Sequence, residues 1–68
     1  MENLNLKLKE LRAGLGLSQQ QIADAVGITR SAYSNYEQGL REPDLKTLKK
    51  ICITFDVSAD YLLGIIDD

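Results

Sequence analysis

The sequence predicts an all-α fold, a compact bundle of five short helices. Apolar residues recur at intervals of three and four rather than two. Serine, threonine or aspartate precedes most of the predicted helices, and glycine follows most of them. A chain of 68 residues is long enough for only one domain. We therefore expect a single domain over residues 1–68, with its folded core at about 4–64.

An apolar stripe predicts the first helix, over about residues 4–13, with Asn3 as its N-cap. The members of the stripe are Leu4, Leu8, Leu11 and Leu15. Ser18 followed three residues later by Gln21 matches the capping box. This motif predicts a second helix over residues 19–26, which Gly27 would end in the left-handed conformation.

Three further helices are predicted by their caps. Thr29 would begin a third helix that runs to about Gln38 and stops at Gly39. Asp44 would cap a fourth, and Ser58 would cap a fifth over residues 59–63, before Gly64. The predicted core stripe of the fourth helix is Leu45, Leu48, Ile51, Cys52 and Phe55.

The third helix is predicted to have two unlike faces. Only three residues separate it from the second helix, which is typical of a helix-turn-helix unit. At 100° per residue, the side that should face the domain holds Thr29, Tyr33, Tyr36 and Glu37. The outward side holds Ser31, Ser34, Asn35 and Gln38, with Arg30 on its flank. Arginine, asparagine and serine are side chains that read base edges in DNA.

Composition argues against several other functions. The chain has no histidine and one cysteine, so neither a zinc site nor a Cys-His nucleophile is expected. We expect no enzyme activity, no cofactor and no small-molecule ligand. The sequence shows neither a transmembrane run nor a signal peptide, so a cytoplasmic protein with no membrane partner is expected.

The chain resembles the lambda repressor and Cro family of phage and bacterial regulators. The supporting segments are "LKLKELR", "GLSQQQIADAVGITRSAYSNYEQG", "REPDLKTL" and "VSADYLLG", in the family's order and spacing over about residues 4–64. This resemblance implies a lambda repressor-like DNA-binding domain, with the third helix in the major groove of double-stranded DNA.

The resemblance also implies roles for individual residues. The implied base-reading residues are Thr29, Arg30, Ser31, Ser34 and Asn35. The implied phosphate-binding residues are Gln19, Tyr36 and Arg41. The glutamine corresponding to Gln19 also braces the first base-reading residue in the family. Arg12 and Glu37 match a partly buried structural ion pair. Tyr33 and Tyr36 are interpreted as core residues whose hydroxyls reach the surface.

We expect a homodimer on a palindromic operator, because two half-sites double the contacts with DNA. An apolar group near the C-terminus either packs back on the domain or forms part of a two-fold interface. Its members are Tyr61, Leu62, Leu63, Ile65 and Ile66.

Two function classes stay open. The first is a sequence-specific transcriptional regulator, most simply a repressor that occupies its operator. The second is a protein-interaction module on the same fold, such as an antirepressor or an antitoxin-like partner. The net charge of −2 favours the second, and so does Leu40, which stands where many relatives carry lysine. The acidic excess is uneven, however, because residues 42–68 hold six acidic and three basic residues.

Overall fold

The computed structural model describes residues 3–66 and confirms the all-α prediction. The five helices are α1 (Leu4–Leu15), α2 (Gln19–Val26), α3 (Arg30–Glu37), α4 (Leu45–Phe55) and α5 (Ala59–Leu62). No strand occurs in the part of the chain that the structure describes. The predicted domain runs from residue 1 to residue 68, so its first two and last two residues lie outside this range.

Side-chain caps begin four of the helices as predicted. The side chains of Ser18, Thr29, Asp44 and Ser58 each accept a hydrogen bond from the backbone N–H three residues later, at 2.8–3.1 Å. Ser18 and Gln21 form the full capping box, since the Gln21 side chain also accepts from the Ser18 backbone N–H at 2.8 Å. Such caps typically stabilise a helix by about 1 kcal/mol.

The prediction for Asn3 is wrong in one respect. Asn3 stands at the N-cap position of α1, but its backbone is left-handed (φ 61°) and its side chain makes no capping hydrogen bond. The C-terminal end of α1 lies close to the predicted end at about residue 13. The helix continues through Gly14 to Leu15, and Gly16 ends it at φ 68°.

The core lies where α1, α2, α3, α4 and α5 meet. Its buried apolar residues are Leu4, Leu8, Ile22, Ala23, Val26, Tyr33, Tyr36, Leu48, Ile51, Phe55 and Leu62. One residue from each of two predicted apolar stripes lies outside the core, and for Leu45 the prediction of a core position is wrong. Leu15 is 54% exposed and Leu45 is 83% exposed. Each is a terminal residue of its helix, and helical spacing does not reveal where the neighbouring helices stop covering it.

Cys52 packs against the core as predicted, and burial raises the pKa of its thiol. The raised pKa keeps the sulfur protonated and weakly nucleophilic at neutral pH.

The packing of the other elements holds α3 in place. Helix α3 lies against both α1 and α2, while α4 packs against α2 and α5. One face of α3 is thereby left without a covering helix.

Candidate nucleic-acid interface

A tight turn holds α3 against α2. The backbone N–H groups of Gly27 and Ile28 both donate to the Ala23 carbonyl, at 2.8 and 3.0 Å. Gly27 adopts φ 87°, which glycine reaches without the penalty of a side chain. Ala23 is fully buried and carries only a methyl group, so α3 can approach closely. The Thr29 cap then starts α3 immediately after the turn.

The two faces of α3 are as different as the sequence predicts. Tyr33, Tyr36 and Glu37 are buried. The outward residues line one open, polar depression of about 460 Å³; they are Arg30, Ser31, Ser34, Asn35 and Gln38. The prediction for Thr29 on the domain-facing side is wrong, because this residue is exposed. Its hydroxyl is engaged in the cap.

The predicted ion pair between Arg12 and Glu37 is present and is bidentate. Arg12 Nε lies 2.7 Å from Glu37 Oε2, and Arg12 Nη2 donates to Glu37 Oε1 at 3.1 Å. Arg12 Nη1 also donates to the Leu17 carbonyl at 3.0 Å. The Glu37 side chain is 1% exposed, whereas that of Arg12 is 25% exposed. The carboxylate thus depends on protein groups to offset the loss of its hydration, while the guanidinium keeps contact with solvent.

Gln19 is a third member of this cluster, and sequence reasoning missed that role. Its Nε2 donates to Glu37 Oε1 at 3.1 Å, which ties the start of α2 to the end of α3. This bond occupies one N–H of the Gln19 amide; the bracing of the first base-reading residue, which the family resemblance implies, stays a prediction. The two residues are 18 positions apart, so no local pattern could have paired them.

The cluster holds Glu37 as a carboxylate. Burial acts to raise the pKa of Glu37, but hydrogen bonds from Arg12 and Gln19 outweigh it, and the pKa is lowered. The nearby Tyr33 hydroxyl also favours the ionised carboxylate, although the two are not hydrogen-bonded. The contact with Glu37 in turn raises the pKa of Arg12.

The prediction that both tyrosine hydroxyls reach the surface is wrong for Tyr33. The residue is fully buried, and its hydroxyl has no hydrogen-bond partner among the described residues. Burial, followed by the nearby carboxylate, raises the pKa of Tyr33 far above its ordinary value of 10.0. The ring therefore stays neutral and serves the core.

Two of the three residues predicted to bind phosphate, Tyr36 and Arg41, lie at or just beyond the end of α3. Arg41 is exposed, whereas Tyr36 is largely buried. Both line a small depression of about 100 Å³, together with Leu4, Asn5, Gly39 and Glu42. Leu40 projects beside them and is 72% exposed. Any contact of Tyr36 with DNA is restricted to the little surface that it keeps.

The C-terminal apolar residues do not form one surface. Leu62 is fully buried inside the domain, so of the two alternatives it packs back on the domain and is not available to an interface. Leu63 packs against the core, and Tyr61 lies under the Lys7 ammonium, 5.0 Å from Nζ to the ring centroid. Ile65 and Ile66 remain exposed. The open part of this group is accordingly the segment that follows α5.

Within residues 3–66, no group of three or more histidine, cysteine, aspartate or glutamate side chains could hold a metal ion. None of the helices in this range is long and apolar enough to cross a membrane.

The fold and its outward polar helix define a helix-turn-helix domain. Comparison with known proteins agrees, since the family described as "Helix-turn-helix" matches residues 8–62. The chain belongs to this family.

Named relatives are phage and bacterial regulators. The chain is 53% identical over 57 residues to the SPbeta prophage-derived HTH-type transcriptional regulator YonR of Bacillus subtilis, covering 84% of this chain and 53% of that protein. It is 57% identical over 56 residues to the HTH-type transcriptional regulator YqaE of the same organism, covering 82% and 48%. The Cryptic phage CTXphi transcriptional repressor RstR of Vibrio cholerae is 31% identical over 58 residues, with 85% and 52% covered. The chain spans about half the length of these relatives.

A solved structure has the same fold. The P22 c2 repressor protein, crystallised in complex with a synthetic operator, superposes with a TM-score of 0.86. The alignment covers 91% of this chain and 94% of the repressor chain, at 24% identity.

Proposed function

We propose that this chain is the DNA-binding domain of a cytoplasmic transcriptional regulator, most simply a repressor that binds a specific double-stranded operator. The observation that carries the proposal is the uncovered polar face of α3, set directly after the helix-turn-helix turn. Relatives named as transcriptional regulators and a repressor support it, as does the fold shared with an operator-bound repressor.

Base recognition is assigned to the depression on α3. Arg30 can donate two hydrogen bonds to guanine O6 and N7, and Asn35 can pair with adenine N6 and N7. Ser31 and Ser34 are short enough to bring a hydroxyl to either kind of base edge. Thr29 keeps its methyl group for a thymine methyl while its hydroxyl caps the helix. These contacts would specify the operator sequence.

Phosphate recognition is assigned to the ends of the two helices. Gln19 uses one N–H of its amide on Glu37, which leaves the other N–H for a phosphate oxygen. Arg41 is exposed beyond the end of α3 and can approach the backbone as a full positive charge. Such contacts fix the register of α3 in the groove but carry no sequence information.

A homodimer completes the proposal. Two copies bound to a palindrome would place their α3 helices in successive major grooves, about 34 Å apart. Because Leu62 is buried, the predicted two-fold contact is left with four residues: Tyr61, Leu63, Ile65 and Ile66. Ile65 and Ile66 are the most exposed of the four.

The test is selection of binding sites from a randomised double-stranded DNA library, followed by fluorescence anisotropy on the selected duplex. We expect one enriched motif, bound at least ~10³-fold more tightly than a scrambled duplex. An inverted repeat with centres ~10 base pairs apart supports the dimer, and a single half-site contradicts it.

The same experiment discriminates the protein-interaction function. The net charge of −2 and the exposed Leu40 are the observations that favour it. A library that shows no enrichment, with binding no tighter than to scrambled DNA, would overturn the regulator proposal and leave the protein-interaction module.

A further inference from the structure

We infer that Gln38 is a specificity-determining residue that sets the direction of the Ser34 hydroxyl. This inference rests on the DNA-binding function proposed above and adds a residue that the family resemblance did not assign. Its basis is a hydrogen bond on the outward face of α3, from Gln38 Nε2 to Ser34 Oγ at 2.8 Å.

Gln38 lies in the middle of the polar face. At about 100° per residue, the five residues that line the depression fall within an arc of roughly 140°. Gln38 falls near the centre of that arc, one turn after Ser34. At ~1.5 Å per residue it lies about 12 Å along the helix from Arg30. The N-terminal part of a recognition helix contacts base edges, so Gln38 is better placed to act on Ser34 than to read a base itself.

The backbone holds Gln38 in register with Ser34. The Gln38 backbone N–H donates to the Ser34 carbonyl at 3.0 Å, and this bond ends α3. Gly39, with φ 74°, then turns the chain away. Backbone and side chain of Gln38 are thus both bonded to Ser34, which reduces the conformations open to the glutamine.

The bond decides what Ser34 can offer to DNA. A serine hydroxyl is one donor with two lone pairs. Among the described residues, the Ser34 hydroxyl accepts from Gln38 and donates to no protein group. The Thr54 hydroxyl of α4 behaves differently, since it donates to the Lys50 carbonyl at 2.8 Å. The Ser34 O–H is therefore available to donate a hydrogen bond to a base in the major groove.

The free donor of the Ser34 hydroxyl determines which bases it should prefer. A hydroxyl that donates favours an acceptor on the base edge, namely guanine O6 or N7, thymine O4 or adenine N7. Cytosine offers only its N4 donor in the major groove and is disfavoured. We expect DNA with cytosine at the base that faces Ser34 to be bound about fivefold or more weakly than DNA with another base there.

The experiment repeats the library selection with two variants of Gln38. Gln38→Met keeps the length of the side chain but removes its donor, so the Ser34 hydroxyl can rotate. We expect the discrimination at one base position to fall to about twofold or less, with the rest of the motif unchanged. Gln38→Glu replaces the donor with a carboxylate that accepts a hydrogen bond from the Ser34 hydroxyl, which leaves the Ser34 lone pairs for DNA. We expect cytosine or adenine, which carry exposed amino donors, to become favoured at that position.

Two controls separate this role from a merely structural one. Gln20→Met breaks the same kind of bond on α2, between Gln20 Nε2 and Asp24 Oδ1 at 2.8 Å, and should leave every base preference unchanged. In a Ser34→Ala background, Gln38→Met should cause no further change at the affected position. Thermal melting of each variant, with Tm unchanged within ~3 °C, establishes that the substitutions leave the fold intact.

The outcomes are distinct. A wild-type motif that Gln38→Met leaves intact, or effects of Ser34→Ala and Gln38→Met that simply add, would overturn the inference while the regulator proposal stands. A wild-type chain that selects no motif overturns the proposed function and this inference with it.

Discussion

The two faces of α3 differ in how their side chains are held. On the inward face, Tyr33 and Tyr36 are buried in the core, and Glu37 accepts three hydrogen bonds from Arg12 and Gln19. On the outward face, the side chains of the described chain make one hydrogen bond with each other, from Gln38 to Ser34. The inward face determines where the helix lies. We therefore expect substitutions on the outward face to cost less stability than substitutions on the inward face.

The largest expected effect tests the inward face. Arg12→Ala leaves a buried carboxylate without its main partner, and we expect a loss of roughly 3–5 kcal/mol in the free energy of unfolding. A domain of this size is stabilised by only about 3–10 kcal/mol in total. The melting temperature should therefore fall by at least about 12 °C, measured by circular dichroism.

The companion variant makes this contrast sharper. Glu37→Gln removes the charge from the buried side of the pair, and the partly exposed Arg12 can then turn to water. We expect a smaller loss, about 1–2 kcal/mol. Equal losses for the two variants would contradict the asymmetry in burial, and no loss for either would show that the pair does not stabilise the fold.

Acid should lower the stability of the domain, because it protonates the buried Glu37 on the inward face. The folded-state pKa of Glu37 is lowered from the ordinary value of 4.5. A lowered pKa means that its stabilising contribution is complete above the unfolded-state pKa and is lost as the pH falls through the folded-state value. The Tm of the wild type should drop as the pH is lowered from about 5 to 3. Glu37→Gln should show a smaller drop, and an identical pH profile for the two proteins would contradict this source of acid sensitivity.

Arg30→Ala tests the outward face. Because Arg30 is exposed and lies at the start of α3, its removal should leave the Tm nearly unchanged. If it grips guanine as proposed, affinity for the selected operator should fall by roughly 1–3 kcal/mol, with preference relaxed at one position. Anisotropy on operators changed at single positions measures this. A uniform loss for all sequences would make Arg30 a phosphate contact instead.

The sequence predicted what depends on neighbours along the chain. Ser18, Thr29, Asp44 and Ser58 cap their helices because a short polar side chain reaches a backbone N–H three residues away. The division of α3 into two faces follows from the helical period in the same way. Gln38 was placed outward in the same way, and its spacing of four residues from Ser34 is one that lets two side chains meet on a helix.

What the sequence could not predict depends on contacts between distant segments. Leu15 and Leu45 fit their stripes but extend past the helices that would cover them. The sequence left open whether Leu62 packs on the domain or joins an interface, and the bundle buries it. Gln19 reaches Glu37 only because the turn between α2 and α3 brings the start of one helix to the end of the other.

Thr29 belongs to both sides of the comparison, since its hydroxyl caps α3 and its methyl group is proposed to touch DNA. Thr29→Ala should lose about 1 kcal/mol of stability with the cap. Thr29→Ser keeps the capping hydroxyl and removes the methyl group. It should retain the wild-type Tm and weaken only the preference for thymine at one position. A drop in Tm for the serine variant would show that the methyl group packs against the domain.

The smallest expected effect separates charge from sequence reading. Arg41→Ala removes one positive charge just beyond α3, and we expect all DNA sequences to be bound more weakly by about the same factor. The slope of log affinity against log salt concentration should flatten by about one unit, because one fewer counterion is released. Lys50→Ala is the matched control, since it removes one charge from the exposed side of α4 and should leave the slope unchanged. If both variants flatten the slope equally, the effect reflects overall charge, and the contact between Arg41 and phosphate is ruled out.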